Sequence, residues 1–379
     1  MWRTASILIG IVLLLIALGI IMLASTSSVQ GEMIHQDANF FLKRQIAALI
    51  VGFIAAVVAS RFDYHYWRTL AVFIGIVSVV LLIMAVTPGV GINVKGSSRW
   101  LRMGPVNLQP SEIAKFATII LLAWWMSRIQ RRAVEFKVGL LAPLALLGLL
   151  TGLVFIEPDF GTTLLLGLVG MGIMFIGGSR IGYLVIAAAL GGTGFILAIM
   201  QNRERMDRVF AFLNPERYAQ DEAFQLLQAI YAFVIGGGPG AGLGASLQKQ
   251  FYLPEAHTDF IFAIIGEELG IGASVGVVVL FLGFLLCGLR ISLRAVDSFG
   301  RLVAFGITSM ISLQAAINIG VVTGCLPTKG LPLPFISFGG TSIAVSLMMV
   351  GVLVNIALQA GSEREDDDIP VIRDKAHDL

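Results

Sequence analysis

Ten stretches of this chain are apolar for long enough to cross a lipid bilayer. They fall at about 5–24, 43–60, 67–87, 111–127, 138–156, 160–178, 181–201, 271–289, 302–325 and 340–360 of a 379-residue chain. About 20 apolar residues span the hydrocarbon core, and a spanning segment in lipid must satisfy its own backbone, so each run predicts a transmembrane helix. Composition agrees, because charged residues make up 13% of the chain against the roughly 25% usual in soluble domains. The expected fold is therefore an all-α integral membrane protein with ten transmembrane helices and a large extracytoplasmic loop between the seventh and eighth. The first run is longer than the roughly 7–15 residues of a signal-peptide core, so it reads as a retained helix.

Ten spans put both ends on one side. Short connections assigned to that side carry Arg61, Arg68, Arg128, Arg131, Arg132, Lys137, Arg180, Arg290, Arg294 and Arg301, besides Arg3. The opposite short connections carry fewer cations, which predicts cytoplasmic termini. Residues 1–361 then form one membrane domain. Residues 362–379, with the run Glu363-Arg364-Glu365-Asp366-Asp367-Asp368, read as a disordered cytoplasmic tail. The net charge of +2 gives no reason to expect nucleic acid. Cys287 and Cys325, on opposite halves of the membrane, read as two small buried hydrophobes and not as a disulfide.

Two outward loops are long enough to expect structure or function in them. Residues 88–109 carry Lys95, Arg99, Trp100 and Arg102. In 202–255, Met206, Val209, Phe210 and Leu213 recur at helical spacing among charges, predicting a helix in the interface. Residues 223–235 then fit a re-entrant or interfacial element ending at a glycine cluster, 236–244. That cluster has no βαβ context, so it reads either as a turn permitting close backbone approach or as N–H groups around a diphosphate.

Several charged groups lie where packing alone would not put them. Glu112 and Lys115, three apart in an apolar helix, read either as a structural ion pair or as the border of a polar cavity. Asp159, in the turn Glu157-Pro158-Asp159, reads either as an ordinary turn former or as part of a polar outer vestibule. The outward cations Arg203, Arg205, Arg208, Arg217 and Lys249 suit either anionic lipid headgroups or an anionic partner such as diphosphate. The densest feature is Tyr252–Gly270. If Pro254 opens a helix, Glu255 and Asp259 share a face one turn apart. Asp259, partly desolvated at the head of an apolar run, reads as a general base, with His257 orienting it. The acids and glycines at 267–272 predict a break that leaves a half-length element before the eighth span.

The chain resembles the SEDS family (shape, elongation, division and sporulation), and its division branch more than its elongation branch. The matching blocks are Gly96-Ser97-Ser98-Arg99-Trp100-Leu101, Gln109-Pro110-Ser111-Glu112-Ile113-Ala114-Lys115, Glu157-Pro158-Asp159-Phe160-Gly161-Thr162, Arg205 through Pro215, Tyr252–Gly270 and Leu326 through Gly340. Ala256, where the elongation type tends to have Arg, carries the branch assignment. Phe338 stands where Tyr is more usual.

That resemblance implies a glycosyltransferase polymerising lipid II on the outer face of the cytoplasmic membrane, at the division septum. Its implied partners are a class B penicillin-binding protein, divisome membrane proteins and membrane lipids. The family's catalytic aspartate carries over to Asp259, its intramembrane pair to Glu112 and Lys115, and its turn acid to Asp159. In the expected mechanism Asp259 deprotonates the acceptor 4-hydroxyl. Arg205, Arg208 and Lys329, or a divalent cation (magnesium or manganese), hold the leaving diphosphate, and Arg99, Lys249, Glu255 and His257 support the site. The rival readings are a lipid II flippase, an elongation-type polymerase and a non-catalytic scaffold. No internal repeat of the transporter kind is visible.

Overall fold

The computed structural model describes residues 1–94, 97–104, 106–220, 223–249, 253–254 and 256–368. Twelve helices and one small sheet follow in the order α1 (Trp2–His35), α2 (Phe40–Arg61), α3 (His65–Val86), β1 (Gly91–Val94), β2 (Ser97–Met103), β3 (Val106–Leu108), α4 (Pro110–Ile129), α5 (Ala142–Ile156) and α6 (Phe160–Ile176). After these come α7 (Ile181–Met200), α8 (Arg203–Leu213), α9 (Phe224–Gly236), α10 (Ile261–Arg294), α11 (Ser298–Val322) and α12 (Gly340–Asp368).

Among the described residues, eight helices are long and apolar enough to cross a membrane. The two apolar runs outside that set explain themselves. The α4 run is diluted by Glu112 and Lys115, and α6 has 17 residues. Yet α4 is the centre of the bundle. It is buried on every side from Pro110 through Ala123 except at Ile113, the pattern of a helix that meets protein and not lipid. At the other extreme α7 buries only Leu184. Its apolar surface is left uncovered by the rest of the described chain.

The expectation of an all-α chain needs correction in the first long loop, where β1, β2 and β3 form an antiparallel meander. Gly91 pairs with Leu101, and Leu101 in turn with Leu108. Gly89, Gly91 and Gly104 forbid a stable helix there, and Gly104, at φ 64°, lets the chain fold back after β2. The helix expected around Met206–Leu213 and an element over the apolar stretch after it are present as α8 and α9. Helix α12 continues through Asp368 and takes in the acidic run 363–368, and 369–379 lie outside the described residues.

The break in the apolar run after Asp259 falls at Gly270, whose φ of 79° and ψ of −177° split α10 into a half-helix, 261–269, and a spanning helix. A break orphans backbone groups, and inside a membrane each must find a partner. The glycine-rich segment after α9 supplies them. Ala241 N–H donates to Glu267 C=O at 2.8 Å, Gly242 N–H to Glu268 C=O at 3.0 Å, and Ile271 N–H to Gly237 C=O at 3.1 Å. The approach is so close that side chains on Gly236, Gly240 or Gly270 would collide with opposing backbone. Of the two readings of this cluster, the structure shows the close approach.

Candidate active site

One end of the bundle gathers four segments: the sheet, the turn 157–159, the stretch 257–260 and the loop 326–339. Arg99, on β2, donates from Nε to Glu157 C=O at 3.0 Å and from a terminal nitrogen to Pro158 C=O. It pins the sheet to the turn. Asp159 caps α6, its carboxylate accepting from Thr162 N at 3.0 Å and Thr162 Oγ1 at 2.9 Å, an ordinary helix-capping arrangement.

Asp259 is not in a helix. Pro254 lies in turns, and helical structure starts at Ile261, so the predicted helical pairing of Asp259 with Glu255 does not form; Glu255 itself lies outside the described residues. The physical reason is that carbonyls needed for such a helix are spent elsewhere. His257 C=O accepts from Phe338 N at 3.0 Å. Thr258 C=O accepts from Ser337 Oγ at 2.6 Å, and Asp259 C=O from Asn318 Nδ2 at 2.8 Å. Three consecutive carbonyls thus hang from two other segments. The Asp259 side chain is half-buried and lies against Gly330, where an added Cβ would stand 3.0 Å from Oδ2. His257 is buried and packs on Phe41, ring centroids 4.8 Å apart.

Beneath this end lies the buried pair. Lys115 Nζ is 2.7 Å from Glu112 Oε1, with the two side chains 1% and 3% exposed. It also donates to Gln314 Oε1 at 2.8 Å. Gln314 Nε2 donates to Pro332 C=O at 2.8 Å, and Asn318, one turn on along α11, donates to Leu331 C=O at 2.7 Å as well as to Asp259. Two amides four residues apart therefore join the ion pair, the 331–332 backbone and Asp259. Neither amide was singled out from the sequence, although polar residues at i and i+4 in an apolar helix are a usable signal. Asn318 Oδ1 is buried with no partner among the described residues, a burden of about 1–3 kcal/mol.

The cations divide. Lys329 lies 5.6 Å from the Phe195 ring centroid, and burial pulls its pKa below the usual lysine value. Arg205 sits 3.5 Å over Phe160, whose ring is 5.9 Å from Phe195, so both cations flank one aromatic pair at the mouth of the α6–α7 seam. Arg208 is exposed on α8. Lys249 belongs to another cluster: its Nζ is 3.2 Å from Glu268 Oε1 and 2.6 Å from Gly244 C=O. Ser25 Oγ donates to the same carboxylate at 2.7 Å. Glu267 is bonded by Ser246 Oγ and, at 2.8 Å, by Leu247 N.

Glu157, fully buried, has neither carboxylate oxygen bonded among the described residues. Burial first, then the neighbouring Asp159 charge, pushes its pKa up to about 8. Among the described residues no three His, Cys, Asp or Glu side chains cluster as a metal site. Cys287 and Cys325 are both free thiols.

The family model for FtsW, RodA and SpoVE, described as "Cell cycle protein", matches residues 5–361. The chain is 40% identical over 351 residues to the probable peptidoglycan glycosyltransferase FtsW of Trichlorobacter lovleyi, covering 93% of this chain and 92% of that one. It is 39% identical over 351 residues to stage V sporulation protein E of Bacillus subtilis, covering 93% and 96%. Among solved structures, a chain of a peptidoglycan synthase complex, described as coordinating polymerization and crosslinking, matches with a TM-score of 0.78 at 24% identity, covering 93% and 97%. The rod shape determining protein RodA of Thermus thermophilus matches at 0.70 and 23%, covering 93% and 96%. At these identities the structural likeness establishes the fold.

Proposed function

This chain belongs to the FtsW, RodA and SpoVE family of cell cycle proteins, and from that membership we propose that it is a peptidoglycan glycosyltransferase. It polymerises lipid II into glycan strands at the outer face of the cytoplasmic membrane, in cell division. The observation that carries the proposal is the placement of Asp259: half-buried at the bundle end, anchored by its backbone, and tied through α11 to the only pair of charges buried in α4.

In the proposed reaction the Asp259 carboxylate takes the proton of the acceptor sugar's 4-hydroxyl. That oxygen attacks the donor's anomeric carbon while the bond to diphosphate breaks and its electron pair leaves with the prenyl diphosphate. Lys329 and Arg205, flanking Phe195 and Phe160, meet the growing negative charge, with Arg208 beside them on α8. Diphosphate leaves without protonation, so a single essential carboxylate suffices. The described residues offer no ready-made metal centre. A magnesium or manganese ion bound to the diphosphate, whose oxygens suit such ions, would add positive charge beside these cations.

In this reading all ten apolar helices span, with α4 and α6 crossing inside the bundle, and both termini are cytoplasmic. The synthase-complex likeness supports a penicillin-binding protein as partner. The FtsW-named relatives support work at the division septum with other divisome proteins. The test is purified full-length protein in detergent, without a bilayer, supplied with lipid II alone or with a class B penicillin-binding protein. Glycan chains are the expected product. Transport of lipid II across vesicles with no polymer from either mixture would replace the proposal with a flippase.

A further inference from the structure

We propose that Asn318 and Ser337 are positioning residues that aim Asp259 by holding its backbone. The inference rests on Asp259 being the base. In the turns before Ile261, the consecutive carbonyls of 257, 258 and 259 take their bonds from Phe338 N, Ser337 Oγ and Asn318 Nδ2. A turn held only by its own residues could rotate the Asp259 side chain through large angles. One hung at three successive peptides cannot.

Each anchor is itself fixed. Ser337 Oγ donates to Thr258 and accepts from Leu333 N at 2.8 Å. Its own carbonyl accepts from Gln45 Nε2, while Gln45 Oε1 accepts from Gly339 N, both at 3.2 Å. Asn318 uses both its N–H bonds, one on Asp259 C=O and one on Leu331 C=O. The second bond fixes the backbone next to Gly330, the residue that the Asp259 carboxylate lies against. One amide thus sets both the acid and the wall facing it. The orientation of that amide follows from its neighbours, since turning it over would aim its oxygen at two carbonyl oxygens. Its oxygen is consequently left without a partner among the described residues. Packing alone would favour leucine here. The tolerated orphan marks a side chain retained for its two donors.

The experiment measures lipid II polymerisation by full-length Asn318→Leu, Ser337→Ala and Asp259→Asn proteins, with thermal unfolding in detergent as a fold control. Asn318→Leu keeps the volume and loses both donors; kcat falls by about 10–100-fold while KM stays within about threefold, because aim is lost and binding is not. Ser337→Ala lowers kcat by about 3–10-fold with the same split. A folded Asn318→Leu protein with unchanged kcat overturns the inference, as does a loss confined to KM. If Asn318→Leu does not fold, Ser337→Ala decides alone, and wild-type kcat in it is the contrary result. Full activity of Asp259→Asn would remove the base and this inference with it. An inactive Asp259→Asn beside fully active Asn318→Leu and Ser337→Ala would leave the base standing and refute the positioning role.

Discussion

Acids flank the half-helix 261–269 at both ends, and the described contacts differ between them. At the far end, Glu267 and Glu268 are anchored by their side chains: Ser246, Leu247 N, Ser25 and Lys249 bond their carboxylates. Both are fully buried. At the near end Asp259 is anchored through its main-chain carbonyl, and its side chain is half-buried beside Gly330. A carboxylate enclosed by fixed donors has no open face for a substrate hydroxyl. A main-chain anchor sets where the Asp259 Cα–Cβ bond points. In the proposed mechanism the same short helix therefore has a structural end and a chemical end, and residue type alone does not distinguish them.

The pair under Asp259 offers the largest perturbation of this contrast. Lys115→Met leaves Glu112 charged and uncompensated in the bundle interior, and the expected cost is about 3–5 kcal/mol. The outcome to look for is loss of monodisperse folded protein, with partial recovery in Glu112→Gln/Lys115→Met. A single variant that folds and melts like wild type would sever the link between the ion pair and the chemical end.

Glu157 sharpens the comparison more gently, since its backbone is pinned by Arg99 while its carboxyl is buried. With a folded pKa of about 8 against 4.5 for an unperturbed Glu, its protonated form favours the fold. That contribution is fully present below about pH 4.5 and is lost as pH climbs through about 8. Glu157→Gln should erase this slope: its melting temperature matches wild type near pH 5 and exceeds it by about 3 °C at pH 9. Equal pH dependence in both proteins would mean that Glu157 is ionised in the fold.

Much of the framework was legible in the sequence. The ten apolar runs all became helix, and the half-helix announced itself through two acids followed by Gly270 and Gly272. The helix α8 followed from its apolar spacing. The three-stranded sheet was not legible, because strands of three to seven residues among glycines carry little periodicity. The partner of Lys249 was not legible either, because a cation in an outer loop looks alike whether it awaits an anionic substrate or pairs with a buried carboxylate such as Glu268. The cradle around Asp259 was invisible for a plainer reason: backbone carbonyls have no sequence signature, and Asn318, Gln314 and Gln45 are single amides in otherwise oily runs.

The most direct measurement compares Asp259→Asn with Glu268→Gln in one lipid II polymerisation assay, each protein also melted in detergent. The near-end change should cut kcat by about a thousandfold, within the range of a lost general base, and leave the melting temperature within about 2 °C of wild type. The far-end change should lower the melting temperature by several degrees, as expected for a disturbed buried hydrogen-bond cluster, and leave kcat within about threefold. A folded Asp259→Asn protein that polymerises at the wild-type rate would contradict the account.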